Sequence, residues 1–595
     1  MDRNFILAIV LSLGVLLGWD MMIAGPQRDK IREVREAEIA ALPPEAQDLA
    51  GLPGVAEAEA QSITIEEAIT HTSGRVQIRT PNLTGSINLQ GGRIDDLSLT
   101  QFHEEVDPNS PIIRLLSPRE TEHGQYAQHG WIAGGKSGEN AEWSAPAGAI
   151  LTPSTPVTLT RREGDLVFEK TISVDDVFMF TIEQSIENVG SEALTATPYA
   201  MVFQRDTPPD VKNFFILQEG PLGVIGTTLY QRKYKTLAKN KNKKIDEEGV
   251  GGWIGITSKN WLASVIPPQA ENMKAVFENI GTQELPIFRS FYSLPARSLA
   301  PGETASLTSH VFGGAKDVDI LQSYERPVEE GGLGIYDFDK AVDWGSLFFL
   351  TRPIFYTLNF FGDKIGNFGI AILILTLFIK ALLFPLANKG YESMAKMKKL
   401  QPEIKKLQER YGDDKTKQQQ EMMALYKKEK MNPLAGCLPI LIQMPIFFAL
   451  YKTLFVTMEL RHQPFLYIQD LAARDPTTVF NLFGLLPYDP MMLPVIGSFL
   501  GIGVLPLMMG AAMWFQTKLN PPPADPVQAQ IFGMLPFVFV FIFAPFAAGL
   551  VLYWFWNTAL SILQQWVILK KNGVSIDWSD RFKFLTKKKS PAPGE

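Results

Sequence analysis

A lysine inside an apolar helix constrains what this chain can be. Lys380 lies within Phe368–Ala387, FGIAILILTLFIKALLFPLA, a stretch with no Asp or Glu. A transmembrane helix needs roughly 20 apolar residues, and an ammonium near its middle costs several kcal/mol unless water or a partner receives it. The stretch is therefore predicted to cross a bilayer beside a hydrated cavity. Snorkelling is the ordinary alternative, but Lys380 lies five residues before Pro385, where the apolar run fades. Thr376, one turn earlier, shares its helix face.

The chain has 595 residues, too many for one domain. Its net charge of −7 argues against general nucleic-acid binding. Cys437 is the only cysteine, which excludes internal disulfides and cysteine-rich metal sites. None of the six histidines has ligand spacing, so no metal is predicted, and no Walker-type phosphate loop is present. No paired-carboxylate or nucleophile motif stands out. The expectation is a protein without cofactor or enzymatic chemistry.

Taken in order, residues 1–25 read as an N-terminal transmembrane anchor. The run Phe5–Trp19 also fits a cleaved signal, but no clear small-x-small site precedes Gly25. Residues 26–65, rich in Glu, Ala, Pro and Gln, read as a flexible tether. From 66 to 330, short alternating runs such as Arg75–Arg79, Leu166–Ile172 and Val177–Glu183 alternate with turn residues. That pattern predicts a large antiparallel β-sandwich. Trp131, Trp143, Trp253 and Trp261 fit a carbohydrate groove or, more simply, its core.

Residues 331–365 read as a linker and an amphipathic helix on the membrane surface, with Pro353 either kinking it or starting a second segment. A transmembrane helix at 366–388 follows. Segment 389–431 reads as a helical hairpin with Met394, Met397, Leu400 and Tyr411 on one arm and Met422 and Tyr426 on the other. Gly412 stops the first arm and Asp413 or Asp414 caps the second. The hairpin carries about a dozen Lys and Arg, more than its acidic residues, which places it in the cytoplasm. Residues 432–570 supply four further spans: Leu434–Met458, Met491–Phe515, and Ile531–Phe546 tightly paired with Ala548–Leu569. The tail, 571–595, is basic. The fold class is thus α+β: six transmembrane helices with both chain ends in the cytoplasm, and a β-sandwich outside. Gln443 and Tyr553, Trp554, Trp556 and Asn557 are further polar or amphipathic groups within spans, while Lys452 sits where snorkelling suffices. A positive charge in a cavity open to the cytoplasm would attract acidic groups of a translocating chain.

Met394-Ala-Lys-Met397, Leu400-Gln-Pro402, Gln420–Tyr426, Asn432-Pro-Leu434, Gly436-Cys437, Gln443–Phe447 and Gly549–Tyr553 resemble the YidC/Oxa/Alb family of membrane-protein insertases, in its Gram-negative form with a large periplasmic domain. The resemblance covers essentially the whole chain. It implies insertion and folding of inner-membrane proteins, alone or beside the Sec translocon, by a five-helix core whose groove opens to cytoplasm and lipid. It places Lys380 where the family commonly carries Arg, with Thr376, Gln443, Tyr553 and Trp554 in the same substrate groove. Lysine keeps the charge but lacks the planar guanidinium fork. The resemblance further implies that the hairpin receives substrates, ribosomes or targeting factors, and that the periplasmic domain contacts Sec partners. Short last helices, Ile531–Phe546 above all, would thin the bilayer locally. The rivals are a small-solute transporter, for which no internal repeat is visible, and an envelope-assembly protein with a glycan-binding sandwich.

Overall fold

The computed structural model describes residues 62–71, 74–209, 211, 217–239, 244–412, 414–429, 438–486, 488, 490, 497–520 and 526–573. The expected anchor at 1–25, most of the tether, Asp413, Cys437 and the basic tail lie outside the described residues. Residues 75–315 form two facing sheets. The larger, of eleven strands, runs in the order Ile245–Val250, Asn272–Asn279, Ile287–Ser293, Leu194–Arg205, Gln125–Ala133, Arg93–His103, Leu83–Asn88, Arg75–Arg79 and Ile150–Leu151, with Arg297–Leu299 and Ile112–Leu116 beside it. The other has eight strands, from Thr228–Gln231 to Val157–Glu163. Pairing is antiparallel, as expected, except that Arg75–Arg79 lies parallel to Ile150–Leu151. Those strands are far apart in sequence, so no hairpin turn dictates their direction.

Inward residues of the two sheets make the core. The four tryptophans singled out above are buried within it, Trp253 completely. One inward position is charged. Lys170 is buried, and its Nζ donates to the carbonyls of Gly92 (3.0 Å) and His129 (2.9 Å) on the facing sheet, above the Trp143 ring. Burial pushes its pKa down to about 7. The same core continues beyond the sandwich through Trp344 and Phe355 to Val456 and Met458.

Helix α1 (Val318–Glu325), capped by Asp317, leads to α2 (Phe348–Ile365), which runs through Pro353. Side chains at Ile354, Phe355 and Leu358 are buried while Phe348, Phe349 and Phe360 are exposed, so the helix is two-faced as its pattern predicts. Helix α3 (Phe368–Arg410) merges what the sequence suggests as two elements, a span and the first hairpin arm. Nothing between Ala387 and Tyr391 stops a helix, and Pro385 and Pro402 each remove a single backbone bond from a segment otherwise rich in good helix formers. Helix α4 (Lys415–Lys428) is the second arm, with the Asp414 carboxylate accepting from Lys417 N. Helices α5 (Leu438–Val456), α6 (Gly497–Leu500), α7 (Val504–Leu519), α8 (Pro526–Phe543) and α9 (Ala548–Lys571) complete the helical half.

Three expectations about this half change. The span at 491–515 is not one helix, because residues 501–503 separate α6 from α7. Asp475 fills that break: its carboxylate accepts from Leu505 N at 2.8 Å, and a Cβ on Gly503 would meet it at 2.5 Å. Helix α8 starts earlier and ends sooner than Ile531–Phe546, and its apolar part, Gln528–Phe543, is no longer than the expected segment. The closest packing of α8 is on α7, not α9, since a Cβ on Gly510 would meet Val540 at 2.2 Å. Among the described residues, Phe368–Arg410 alone is both long and apolar enough to span a membrane, with shorter apolar helices at Gln443–Val456 and Gln528–Phe543.

The sandwich and the helices meet through polar contacts over this shared core. Lys452, expected to snorkel, is instead buried and paired with Asp343 at 2.5 Å, and Asp343 also accepts from Gln218 N at 2.9 Å. Arg461 donates to His103 O of the sandwich at 2.5 Å, while Arg352 of α2 pairs with Asp339 of the linker and Thr453 Oγ1 of α5 donates to Thr351 O of α2 at 3.2 Å. Breaking a buried pair strands one charge and costs roughly 3–5 kcal/mol, whereas removing both charges is often near neutral. Asp343→Leu is accordingly expected to lower the thermal unfolding midpoint sharply, and Asp343→Leu with Lys452→Met to recover most of it, by fluorescence-monitored melting in detergent.

Lys170 gives a pH test. Folded, it loses its proton near pH 7; unfolded, near its ordinary 10.5. The unfolded chain thus holds more protons between those values, so stability rises with pH across that window. Melting midpoints of wild type and Lys170→Met between pH 7 and 10 should show the wild type gaining relative to the variant.

Candidate functional site

Helices α3, α5, α7 and α9 enclose a cavity of about 180 Å³. Its walls include Lys380 and Tyr391 from α3, Gln443 and Met444 from α5, Gln516 from α7, and Trp554, Asn557 and Ser561 from α9. Lys380 is the thirteenth residue of α3, about 18 Å along it, which is mid-bilayer for a helix starting at one face. Its Nζ donates to Ser561 Oγ at 2.6 Å, and Ser561 Oγ donates to Asn557 O at 2.7 Å. Among the described residues no carboxylate pairs with Lys380. The charge is therefore met by a hydroxyl and a small polar void, not by an opposite charge.

The void has an apolar side as well. Leu383, Leu386, Met444, Met513 and Trp554 share its lining with the polar groups. Toward the sandwich it is capped by rings: Phe447 lies 4.5 Å from Trp554, edge-on, and Phe543 lies 5.0 Å from Trp554. One turn further along α5, Tyr451 packs 5.5 Å from Phe546. An amphipathic lining of this kind can hold a polar segment at one wall and an apolar one at the other.

Of the residues singled out from the sequence, Lys380, Gln443, Trp554 and Asn557 line the cavity. Tyr553 is buried behind it, its Oη accepting from Gln443 Nε2 at 2.8 Å, and so orients Gln443 instead of facing the void. Thr376 does not reach it. Its hydroxyl donates to Ile372 O at 2.6 Å and is buried between helices, a bond to the preceding turn that removes any need for water. Trp556 turns toward α3, donating to Leu373 O at 3.2 Å. Sequence reasoning missed Ser561, Tyr391 and Gln516. The signal for Ser561 was present, since Asn557, Ser561 and Gln565 recur every fourth residue along one face of an otherwise apolar helix.

Below the cavity, α3 continues into the hairpin. Met394, Met397, Leu400, Tyr411, Met422 and Tyr426 are half-buried, and Ala395 and Ile404 are buried. Lys398 Nζ donates to Leu519 O at 3.3 Å at the C-terminus of α7, where a cation also suits the helix dipole. In a Cys437→Ser background, Ser561→Cys should be alkylated by a small water-soluble maleimide in membrane vesicles, while Thr376→Cys should resist it.

A family described as "60Kd inner membrane protein" matches residues 360–574, and one described as "YidC periplasmic domain" matches residues 75–357. The "Membrane protein insertase YidC" of Beijerinckia indica subsp. indica is 46% identical, over 99% of this chain and 99% of its own. That of Rhizobium meliloti is 43% identical, with 100% of each chain covered. The solved "Active YidC insertase crystal structure with the first transmembrane domain resolved" covers 85% of this chain and 94% of its own, at 16% identity and a TM-score of 0.36. The identity and the coverage of the curated relatives are decisive: the chain belongs to the YidC family of membrane protein insertases, inner-membrane proteins with a periplasmic domain.

Proposed function

We propose that this insertase captures its substrates through the cavity at Lys380. The observation that carries the proposal is an ammonium group at mid-helix depth whose partner is a serine hydroxyl, in a void walled partly by apolar side chains. A cation so placed keeps much of its attraction for an acidic group, because no carboxylate among the described residues neutralises it and the surrounding dielectric is low. An acidic or polar stretch of a nascent inner-membrane protein enters beside Lys380, which shortens the dry path to the far side. The apolar segment slides along the Leu383, Met444 and Trp554 wall into lipid, where its hydrophobic burial drives release. The chain needs no nucleotide for this.

The proposal includes six spans, with both chain ends in the cytoplasm, a groove closed toward the sandwich, and the unit boundaries set out from the sequence. The ring cluster of Phe447, Phe543 and Trp554 supports closure on that side. The basic hairpin supports a cytoplasmic face that meets ribosomes or targeting factors, and the sandwich is the part of the chain placed to meet the Sec translocon. Gln443, held by Tyr553, and Trp554 serve the groove; the half-buried Met394, Met397 and Met422 give the hairpin an adaptable apolar surface.

Lys380→Arg is expected to keep insertion of a single-span substrate with an acidic translocated tail, read by protease protection in proteoliposomes. Lys380→Glu should slow it about tenfold, the equivalent of roughly 1.4 kcal/mol. Wild-type rates for both Lys380→Ala and Lys380→Glu on such substrates would overturn electrostatic capture.

A further inference from the structure

The segment joining α5 to the α6–α7 pair carries a feature that the insertase reading does not use. From Pro476 to Tyr488 it contains no Asp, Glu, Lys, Arg or His. Val479, Phe480, Leu482, Phe483, Leu485 and Tyr488 are all exposed, Leu485 at 82%. Such a run of large apolar side chains displayed outward marks an interaction surface.

The display is built. Asn481 is buried at its centre, and its Oδ1 accepts from Thr478 N and Gly484 N, both at 2.9 Å, while its Nδ2 donates to Pro476 O at 3.1 Å. Thr478 Oγ1 accepts from Phe480 N at 2.9 Å, and its carbonyl accepts from Phe483 N at 2.7 Å. The N–H groups of Leu485 and Leu486 bond to Leu482 O and Asn481 O. Leu482 and Phe483 sit at φ of 51° and 59°, a left-handed conformation that is strained for residues other than glycine. That strain places two large apolar side chains outward, where burial in the protein does not offset it.

Its position indicates what covers it. The base of the segment is tied to the sandwich-side ends of the helices: Asp475 to the start of α7, Ala473 O to Ala548 N at the start of α9, and Phe465 against Gly369 at the start of α3. At the same end, α2 exposes Phe348, Phe349 and Phe360. A surface level with the helix ends and without charge, with the N–H groups of Thr478, Phe480, Phe483, Gly484, Leu485 and Leu486 bonded within the segment, suits the bilayer interface, where apolar side chains enter the acyl boundary while the backbone stays at headgroup depth. A peptide-binding edge would instead offer free backbone groups.

We propose that residues 479–486 form a rigid apolar wedge whose side chains enter the acyl boundary of the leaflet facing the sandwich, where it fixes the depth of α5 and α7. The test uses the full chain in lipid nanodiscs, with Cys437→Ser and one new cysteine, Phe480→Cys or Leu485→Cys, carrying an environment-sensitive fluorophore; Val250→Cys on the sandwich surface is the aqueous control. Neither labelled wedge position has a positive φ, so the turn itself is left intact. The expected result is blue-shifted emission at both wedge positions, quenching by lipids with a nitroxide high on the acyl chain, and loss of the aqueous iodide quenching seen at Val250→Cys. Iodide quenching at both wedge positions equal to the control would overturn the proposal. So would protection from iodide without quenching by lipid nitroxide, since the cover would then be protein: another part of this chain or a second copy.

Discussion

A cation in the middle of an apolar helix has to be solvated, and the helices around Lys380 are arranged to do it without cancelling the charge. Ser561 supplies one hydroxyl lone pair, and that hydroxyl donates its own hydrogen bond back to Asn557 O. A carboxylate would have held Lys380 more tightly but would have ended its attraction for anything else. A leucine at 561 would have left the ammonium to the void alone. The choice of a neutral acceptor leaves a small, partly polar site net positive, the combination that the proposed acidic guest requires.

The polar void in turn depends on rigid surroundings, and those are largely apolar. Gly510 lets α7 and α8 approach until a methyl group would collide with Val540, and Gly369 does the same for α3 against Phe465. Small residues at crossing points are how helices pack where lipid offers no hydrophobic drive. On the sandwich side, Asp475 occupies the break before α7 and accepts from Leu505 N, while Val504 N donates to Thr477 Oγ1. The junction with the sandwich adds the buried Lys452–Asp343 pair, and Phe355, Val456 and Met458 join the sandwich core while the other helix residues pack in a second core of their own.

What the sequence disclosed follows the range of the interactions concerned. Lys380 and Gln443 stood out because an ionisable or amide side chain in hydrocarbon is anomalous whatever surrounds it. The alternation of Leu166–Val174 announced a strand, although it could not say that Lys170, at an inward position, would pin the facing sheet. Thr376 was misplaced because a helix-face argument fixes direction but not whether a hydroxyl satisfies itself on the preceding turn. The break at 501–503 was invisible for a different reason: the residue that stabilises it, Asp475, lies about thirty positions away in a loop. Strand order, the parallel pairing of Arg75–Arg79 and the merging of a span with a hairpin arm are likewise decided by partners remote in sequence.

The shape of the cavity bears on what kind of machine this is. A conduit needs polar groups along its whole length, since a charged or hydrated passenger pays desolvation wherever they stop. Here they stop one helical turn above Gln443, where Phe447, Phe543 and Trp554 meet ring to ring, followed by Tyr451 and Phe546. A passenger drawn to Lys380 has no continuing wet path toward the sandwich, yet beside it the wall is already apolar. The lower-energy exit for an apolar segment is therefore sideways. For its polar tail, the remaining barrier is the thickness of the ring layer rather than that of the bilayer. On the proposed mechanism, electrostatic capture contributes by moving the start of the crossing inward, and the hydrophobic gain of the segment in lipid does the rest.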